Sequence, residues 1–207
     1  FDALLGQIKP GMQEKELAAL LEYEMAKRGS ERPSFDTILI SGAKTSMPHG
    51  MPDTKPVAAG EFILVDFGAV VNGYHSDMTR TFALGSATER MRTVYSTVLA
   101  AQETGIRMLR AGISCDQPHL AAHQVIRDAG FGDCFGHALG HCVGLEIHES
   151  PALSPRAKQH LEPGMVITVE PGIYLPGEFG VRIEDLLLIQ PDGAEDLTHT
   201  PKELLIL

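Results

Sequence analysis

Four acids and a histidine carry the chemistry this sequence could do. Gly60 to Leu84 reads GEFILVDFGAVVNGYHSDMTRTFAL, an apolar run, an Asn72-Gly73 turn signal and a second run ending at Phe82. That is the pattern of a β-hairpin. With Asn72-Gly73 as a two-residue turn, Asp66 faces Thr79 and Gly68 faces Asp77, all on one side of the ladder. Asp66 and Asp77 are then diagonal neighbours, within reach of one bound ion. At ~4 Å and an effective dielectric of about 20, such a like-charge pair costs roughly 4 kcal/mol. Two carboxylates side by side in an apolar hairpin oppose folding unless a cation lies between them, so the pair points to a metal site.

Gly164 to Ile189, GMVITVEPGIYLPGEFGVRIEDLLLI, repeats the scheme. A glycine precedes an acid by six residues in both stretches (Gly60 to Asp66, Gly164 to Glu170), and a second acid lies on each return strand, Asp77 and Glu184. The separation is eleven residues in the first and fourteen in the second. Glu170 and Glu184 therefore share a face only if the Pro176-Gly177 region supplies an odd-length loop or a bulge. Oxygen ligands of this number suit two divalent cations of the Mn²⁺ type, and an added imidazole also welcomes Zn²⁺, Co²⁺ or Fe²⁺. His141, in GHALGHCVGLEIHE, is the nitrogen ligand this pattern favours. His49, His137 and His148 could donate hydrogen bonds to a substrate carbonyl or an oxyanion, and the sequence leaves their roles unranked. Arg182, two residues before Glu184 on the same strand face, could brace that carboxylate. Arg156 is a candidate for holding a substrate carboxylate, with a plain surface role equally open. Cys115, Cys134 and Cys142 read as packing residues.

The elements that must position these groups also repeat. IKPG at Ile8–Gly11 matches LRAG at Leu109–Gly112, and each is followed by a helical stretch reaching a glycine eighteen residues on, Gly29 and Gly130. One α/β unit used twice, each copy giving two carboxylates to a shared centre, accounts for the pattern. In order, residues 1–9 read as the tail of a first helix, Gln13 to Arg28 as a helix, Phe35 to Ile40 as a strand and Ser41 to Lys55 as a loop carrying His49. Ser86 and Glu89 form a capping box for a helix to Arg110, and another helix runs from about Asp116 to Ala129. The second hairpin is followed by a short final strand after Pro191-Asp192-Gly193.

At 207 residues, 43% hydrophobic and 21% charged, the chain has the composition of one globular domain. A net charge of −10 argues against nucleic acid or an anionic membrane as partner. No apolar run approaches the ~18 residues of a membrane span. An odd number of cysteines with no disulfide pattern makes a reducing cytoplasm the expected location.

With these residues assembled, the chain resembles the pita-bread metallopeptidases, the family of methionine aminopeptidase, aminopeptidase P and prolidase. The likeness rests on VDFGA with SDMTRTF, GHCVGLEIHE, TVEPGIY and VRIED, and it covers residues 1–207 as a catalytic domain. It implies an α+β fold with a pseudo-twofold duplicated unit, antiparallel sheet inside and helices outside. It also implies a dinuclear centre held by Asp66, Asp77, His141, Glu170 and Glu184, with Asp77 and Glu184 bridging. His49, His137, His148 and Arg182 fall at the family's substrate and supporting positions. The arginine of VRIED and the Gly-Ile-Tyr after Glu170 are similar to the Xaa-Pro branch, whose substrate is a peptide with proline second. Members of that branch carry a separate N-terminal domain, which matches an expected truncation of the first helix here. Prolidase and aminopeptidase P remain open alternatives, as do the metal and a homodimeric assembly.

The expected chemistry follows from the site: two divalent ions sharing a water lower its pKa from 15.7 toward about 7, with Glu170 shuttling the proton. Two rivals stand beside it. His75-x-Asp77 with a distal histidine imitates a non-haem iron triad, but leaves three acids idle. A non-catalytic or metal-free relative on the same fold would normally lack some of the five ligand positions, all filled here.

Overall fold

The glycines that mark the sequence repeat take up matching backbone conformations. In the computed structural model, which describes all 207 residues, φ is +92° and +82° at Gly11 and Gly112, +102° and +86° at Gly29 and Gly130, and +84° and +89° at Gly60 and Gly164. Their hydrogen bonds match as well. Gly11 N–H donates to Val57 O and Gly112 N–H to Leu161 O, both at 2.8 Å, while Gly60 and Gly164 donate to Leu84 O and Ile189 O at 2.7 and 2.9 Å. The duplication read from sequence is thus a duplication of backbone geometry.

The first copy contains α1 (Asp2–Leu5), α2 (Glu14–Lys27), β1 (Arg32–Pro33), β2 (Ile38–Ser41), β3 (Phe62–Phe67), β4 (Ala69–Val71), β5 (Tyr74–His75) and β6 (Met78–Ala83). The second contains α3 (Glu89–Met108), α4 (Asp116–Asp128), β7 (Gly140–Cys142), β8 (Glu149–Leu153), β9 (Val166–Val169), β10 (Gly172–Leu175), β11 (Phe179–Arg182), β12 (Asp185–Gln190) and β13 (Gly193–Asp196). The sheets are β2-β3-β6, β1-β4-β5, the β10-β11 hairpin and β13-β12-β9-β7-β8, all with antiparallel pairing. Helices cover the sheets, and two cores lie between the layers. The larger has 26 buried residues, including Val94, Val98, Ile126, Leu139, Val169 and Leu187. The smaller has 11, among them Leu17, Leu21, Leu39, Ile63 and Phe82. No helix is long and apolar enough to cross a membrane.

Local expectations hold with shifted ends. Gln13 and Glu16 form the box that starts α2, satisfying orphan N–H groups at its first turn. The next cap differs from the sequence reading: Thr88 accepts from Met91 N–H at 3.2 Å and opens α3, so Ser86 plays no capping part. The early strand begins at Ile38 rather than Phe35. Cys115 and Cys142 are buried in the larger core and Cys134 packs against it, all three free thiols. After β13 the chain crosses back to the first copy, where Ile206 bridges Ala83 and Leu207 N–H donates to Ala83 O at 3.0 Å.

Candidate metal centre

Asn72 and Gly73 have φ of +52° and +80°, the paired positive values of a type I′ turn. The register follows: Val71 pairs with Tyr74, Phe67 with Met78 and Asp66 with Thr79. Between β3 and β4 the strand leaves one sheet and enters another at Gly68, where a Cβ would lie 1.8 Å from the Ser76 carbonyl oxygen. Asp77 sits at the matching break between β5 and β6.

In the second hairpin Leu175 pairs with Phe179, leaving a three-residue loop, Pro176 to Glu178. The odd length puts Glu170 and Glu184 at opposed positions, between the pairs Val169–Asp185 and Gly172–Arg182. One feature departs from the sequence reading. Register places Glu184 where the first hairpin has Thr79, and Arg182 where it has Asp77, so the return-strand acids of the two copies are offset by two residues.

The side chains converge nonetheless. Ligand atoms of Asp77, His141 and Glu184 lie within 4.8 Å of one another. His141 Nε2 is 3.6 Å from Asp77 Oδ2 and 3.4 Å from Glu170 Oε1. Its Nδ1 faces the Cys142 carbonyl at 3.1 Å, an acceptor only, so Nδ1 carries the proton and Nε2 turns a lone pair toward the carboxylates. Burial holds this imidazole's pKa below its ordinary value. Thr168 Oγ1 donates to Glu170 Oε1 at 3.1 Å and accepts from His141 N–H at 3.0 Å.

Arg182 is 4% exposed and pairs with Asp66 Oδ2, not with Glu184 as the sequence suggested. It reaches Glu184 only through Thr79: Arg182 Nε donates to Thr79 Oγ1 at 3.1 Å, which donates to Glu184 Oε2 at 2.6 Å. Arg182 Nη1 donates to the Tyr174 hydroxyl at 2.9 Å, which lies 2.9 Å from His137 Nε2. His137 Nδ1 contacts the Ala138 carbonyl at 2.8 Å, so it is the protonated nitrogen and Nε2 accepts from Tyr174. Burial pushes the His137 pKa down to about 4.

The acid cluster carries more negative charge than its one guanidinium offsets. Burial, then the neighbouring carboxylates, raises Asp77 and Glu184 well above the usual carboxylate range. Burial pushes Glu170 up to about 8, against the opposing pull of Arg182. Asp66 Oδ1 and Glu184 Oε1 are buried with no hydrogen-bond partner. Unpaired buried acceptors are costly, and a lone pair facing carboxylates has no donor to meet. Both conditions, with four carboxylates and one imidazole as donors, fit divalent cations of the Mn²⁺, Co²⁺, Zn²⁺ or Fe²⁺ kind.

These groups floor a cleft of about 470 Å³ whose walls include Phe35, Ile38, Pro48, Met51 and Ile147. His49, His137 and His148 also line it; His49 and His148 are exposed at the rim, with the His148 ring edge-on to His141 at 4.5 Å. Arg156 is exposed and stands outside the cleft lining. The sequence reading assigned no role to Tyr174, Thr79 or Thr168. Tyr174 stood within the Gly-Ile-Tyr motif, but its two partners come together only through the β10-β11 pairing.

The model of metallopeptidase family M24 matches residues 1–191. The chain belongs to that family. Among its relatives, the Xaa-Pro dipeptidase of Pyrococcus furiosus is 45% identical over 203 residues, covering 98% of this chain and 58% of that protein. In structure, the Xaa-Pro dipeptidase from Bacillus anthracis superposes with a TM-score of 0.98 at 44% identity, covering 100% of this chain and 58% of that one. The X-Pro aminopeptidase from Thermotoga maritima superposes at 0.97 with 43% identity, covering 99% and 58%. The chain therefore spans less than two thirds of the length of these relatives. Its architecture is the pita-bread fold expected from the family resemblance.

Proposed function

We propose that this M24 chain is the catalytic part of a dinuclear metallopeptidase that hydrolyses the Xaa-Pro bond at the N-terminus of dipeptides or short peptides. The carrying observation is that Asp66, Asp77, His141, Glu170 and Glu184 line one cleft, with ligand atoms of Asp77, His141 and Glu184 within 4.8 Å of one another and buried oxygens that no proton donor meets. Those five would hold two divalent ions, Mn²⁺ foremost, which supply an acidified water and polarise a carbonyl. Relatives named as Xaa-Pro dipeptidases and an X-Pro aminopeptidase support the proline preference.

The chain's own residues divide the remaining work. Glu170, ionised once cations share the site, would take a proton at its carboxylate from the attacking water and return it to the leaving nitrogen. His148 and His49, which line the cleft, would donate to the carbonyl oxygen as it gains charge. Arg182, Tyr174 and His137 form a continuous hydrogen-bonded chain that holds Asp66. Phe35, Ile38, Met51 and Ile147 offer apolar surface to the substrate.

A panel of Xaa-Pro dipeptides, Xaa-Pro-Yaa tripeptides and Met-initiated peptides on the Mn²⁺- and Co²⁺-loaded protein tests this. Proline-containing peptides should be cleaved before the proline and the others spared. Cleavage of Met-Gly peptides with Xaa-Pro peptides intact would overturn the substrate class, and no cleavage of any would favour a binding role.

A further inference from the structure

Arg80 lies on the face of β6 turned away from the cleft, 2% exposed. Every N–H of its guanidinium is used. Nε donates to Pro201 O at 3.1 Å, Nη1 to Thr79 O at 2.9 Å and Glu184 O at 2.6 Å, and Nη2 to Asp185 Oδ1 at 2.6 Å and Thr200 O at 2.7 Å. The buried charge of Asp185 alone does not call for this arrangement, because Gln102 Nε2 and Lys202 Nζ also donate to its Oδ2, at 2.7 and 2.6 Å.

Two of the five acceptors are the main-chain carbonyls of Thr79 and Glu184, the residues whose side chains bond to each other in the cleft. These two occupy matched positions of the duplicated hairpins, and so do Arg80 and Asp185. The copies meet there through a main-chain bond, Glu184 N–H to Thr79 O at 3.1 Å. Arg80 thus grips both sides of that junction from behind, with a rigid planar fork that an ammonium cannot reproduce.

We propose that Arg80 is a positioning residue for the metal centre: by clamping the Thr79 and Glu184 carbonyls together, it sets how closely the Glu184 carboxylate approaches Asp77 and His141. This rests on the metal-centre reading above. Supporting residues behind metal ligands commonly change affinity by 10–100-fold when removed.

The test compares the unsubstituted protein, Arg80→Lys and Lys202→Met. Mn²⁺ binding is read by calorimetry, site geometry by the visible spectrum of bound Co²⁺, and stability by urea melts. Arg80→Lys should bind Mn²⁺ at least tenfold more weakly with an altered Co²⁺ spectrum. Lys202→Met removes a partner of Asp185 but leaves all five Arg80 bonds, and should keep unsubstituted affinity at a lowered melting midpoint. If Arg80→Lys does not fold, Arg80→Met with Asp185→Leu replaces the buried charges by apolar volume and should show the same loss of affinity. Unchanged affinity in the Arg80 variants, or an equal loss in Lys202→Met at equal destabilisation, overturns the inference. Absence of ion binding by the unsubstituted protein instead overturns the metal-centre reading, and the inference with it.

Discussion

At the scale of single residues, the site is a set of groups held in states that water would not favour. Asp77, Glu170 and Glu184 all have raised pKa values, led by burial, so the folded chain binds protons there that the unfolded chain has already released. For a raised carboxylate the sign is clear: stability is greatest below the unfolded value near 4 and falls as pH climbs toward the folded value. Protein stripped with chelator should therefore lose melting temperature as pH rises from about 5 to 8, where Glu170 reaches half ionisation. The loss is on the order of a few kcal/mol. Added Mn²⁺, if held by the ionised acids as proposed, should raise the melting temperature more at pH 8 than at pH 5; equal rises would contradict that proposal. The acids stood out in the sequence because apolar strands rarely hold carboxylates, and His141 because three histidines fall within twelve glycine-punctuated residues. The partner of Arg182 was not. Spacing along one strand suggested Glu184, whereas Asp66 lies across the copies, 116 positions away in the chain.

At the scale of elements, the hairpins do the positioning, and their turns were readable. Asn72-Gly73 announced both the turn type and the register that followed from it. Pro176-Gly177 announced a loop but not its length, and that length decides that Glu170 opposes Glu184. The sheet-changing breaks beside each acid were not readable, since they depend on what packs on either side. Gly68 gives a test at this scale. A methyl there would lie 1.8 Å from the Ser76 carbonyl oxygen and 2.9 Å from Ser34 Cβ, so Gly68→Ala must push the strands apart between Asp66 and Asp77. Urea melts should show a loss of about 1–3 kcal/mol, the usual cost of overpacking. Calorimetry should show Mn²⁺ affinity reduced as well, whereas substitution of half-buried Gly193, with nothing within 4 Å of an added methyl, should change neither.

For the whole molecule, the repeat was visible as glycines at constant offsets, while the unequal size of the two cores was not. Core membership depends on α3 lying against the second copy, which no local pattern states. Because the core of 26 buried residues lies mostly in the second copy and the core of 11 in the first, native-state hydrogen exchange should find amides of α4, β9 and β12 protected about tenfold or more beyond those of α2 and β2. The closing segment was equally silent in sequence. Nothing in the sequence singled out Thr200 and Pro201, yet their carbonyls accept from Arg80, some 120 positions upstream.

The two-residue offset between the return-strand acids reaches beyond construction. Two identical halves would present a bound chain with the same surroundings at either end, and a peptide could lie in either direction. Here one half contributes a guanidinium where its twin contributes an acid. The two ends of the cleft floor therefore differ in the side chains they present before anything enters it.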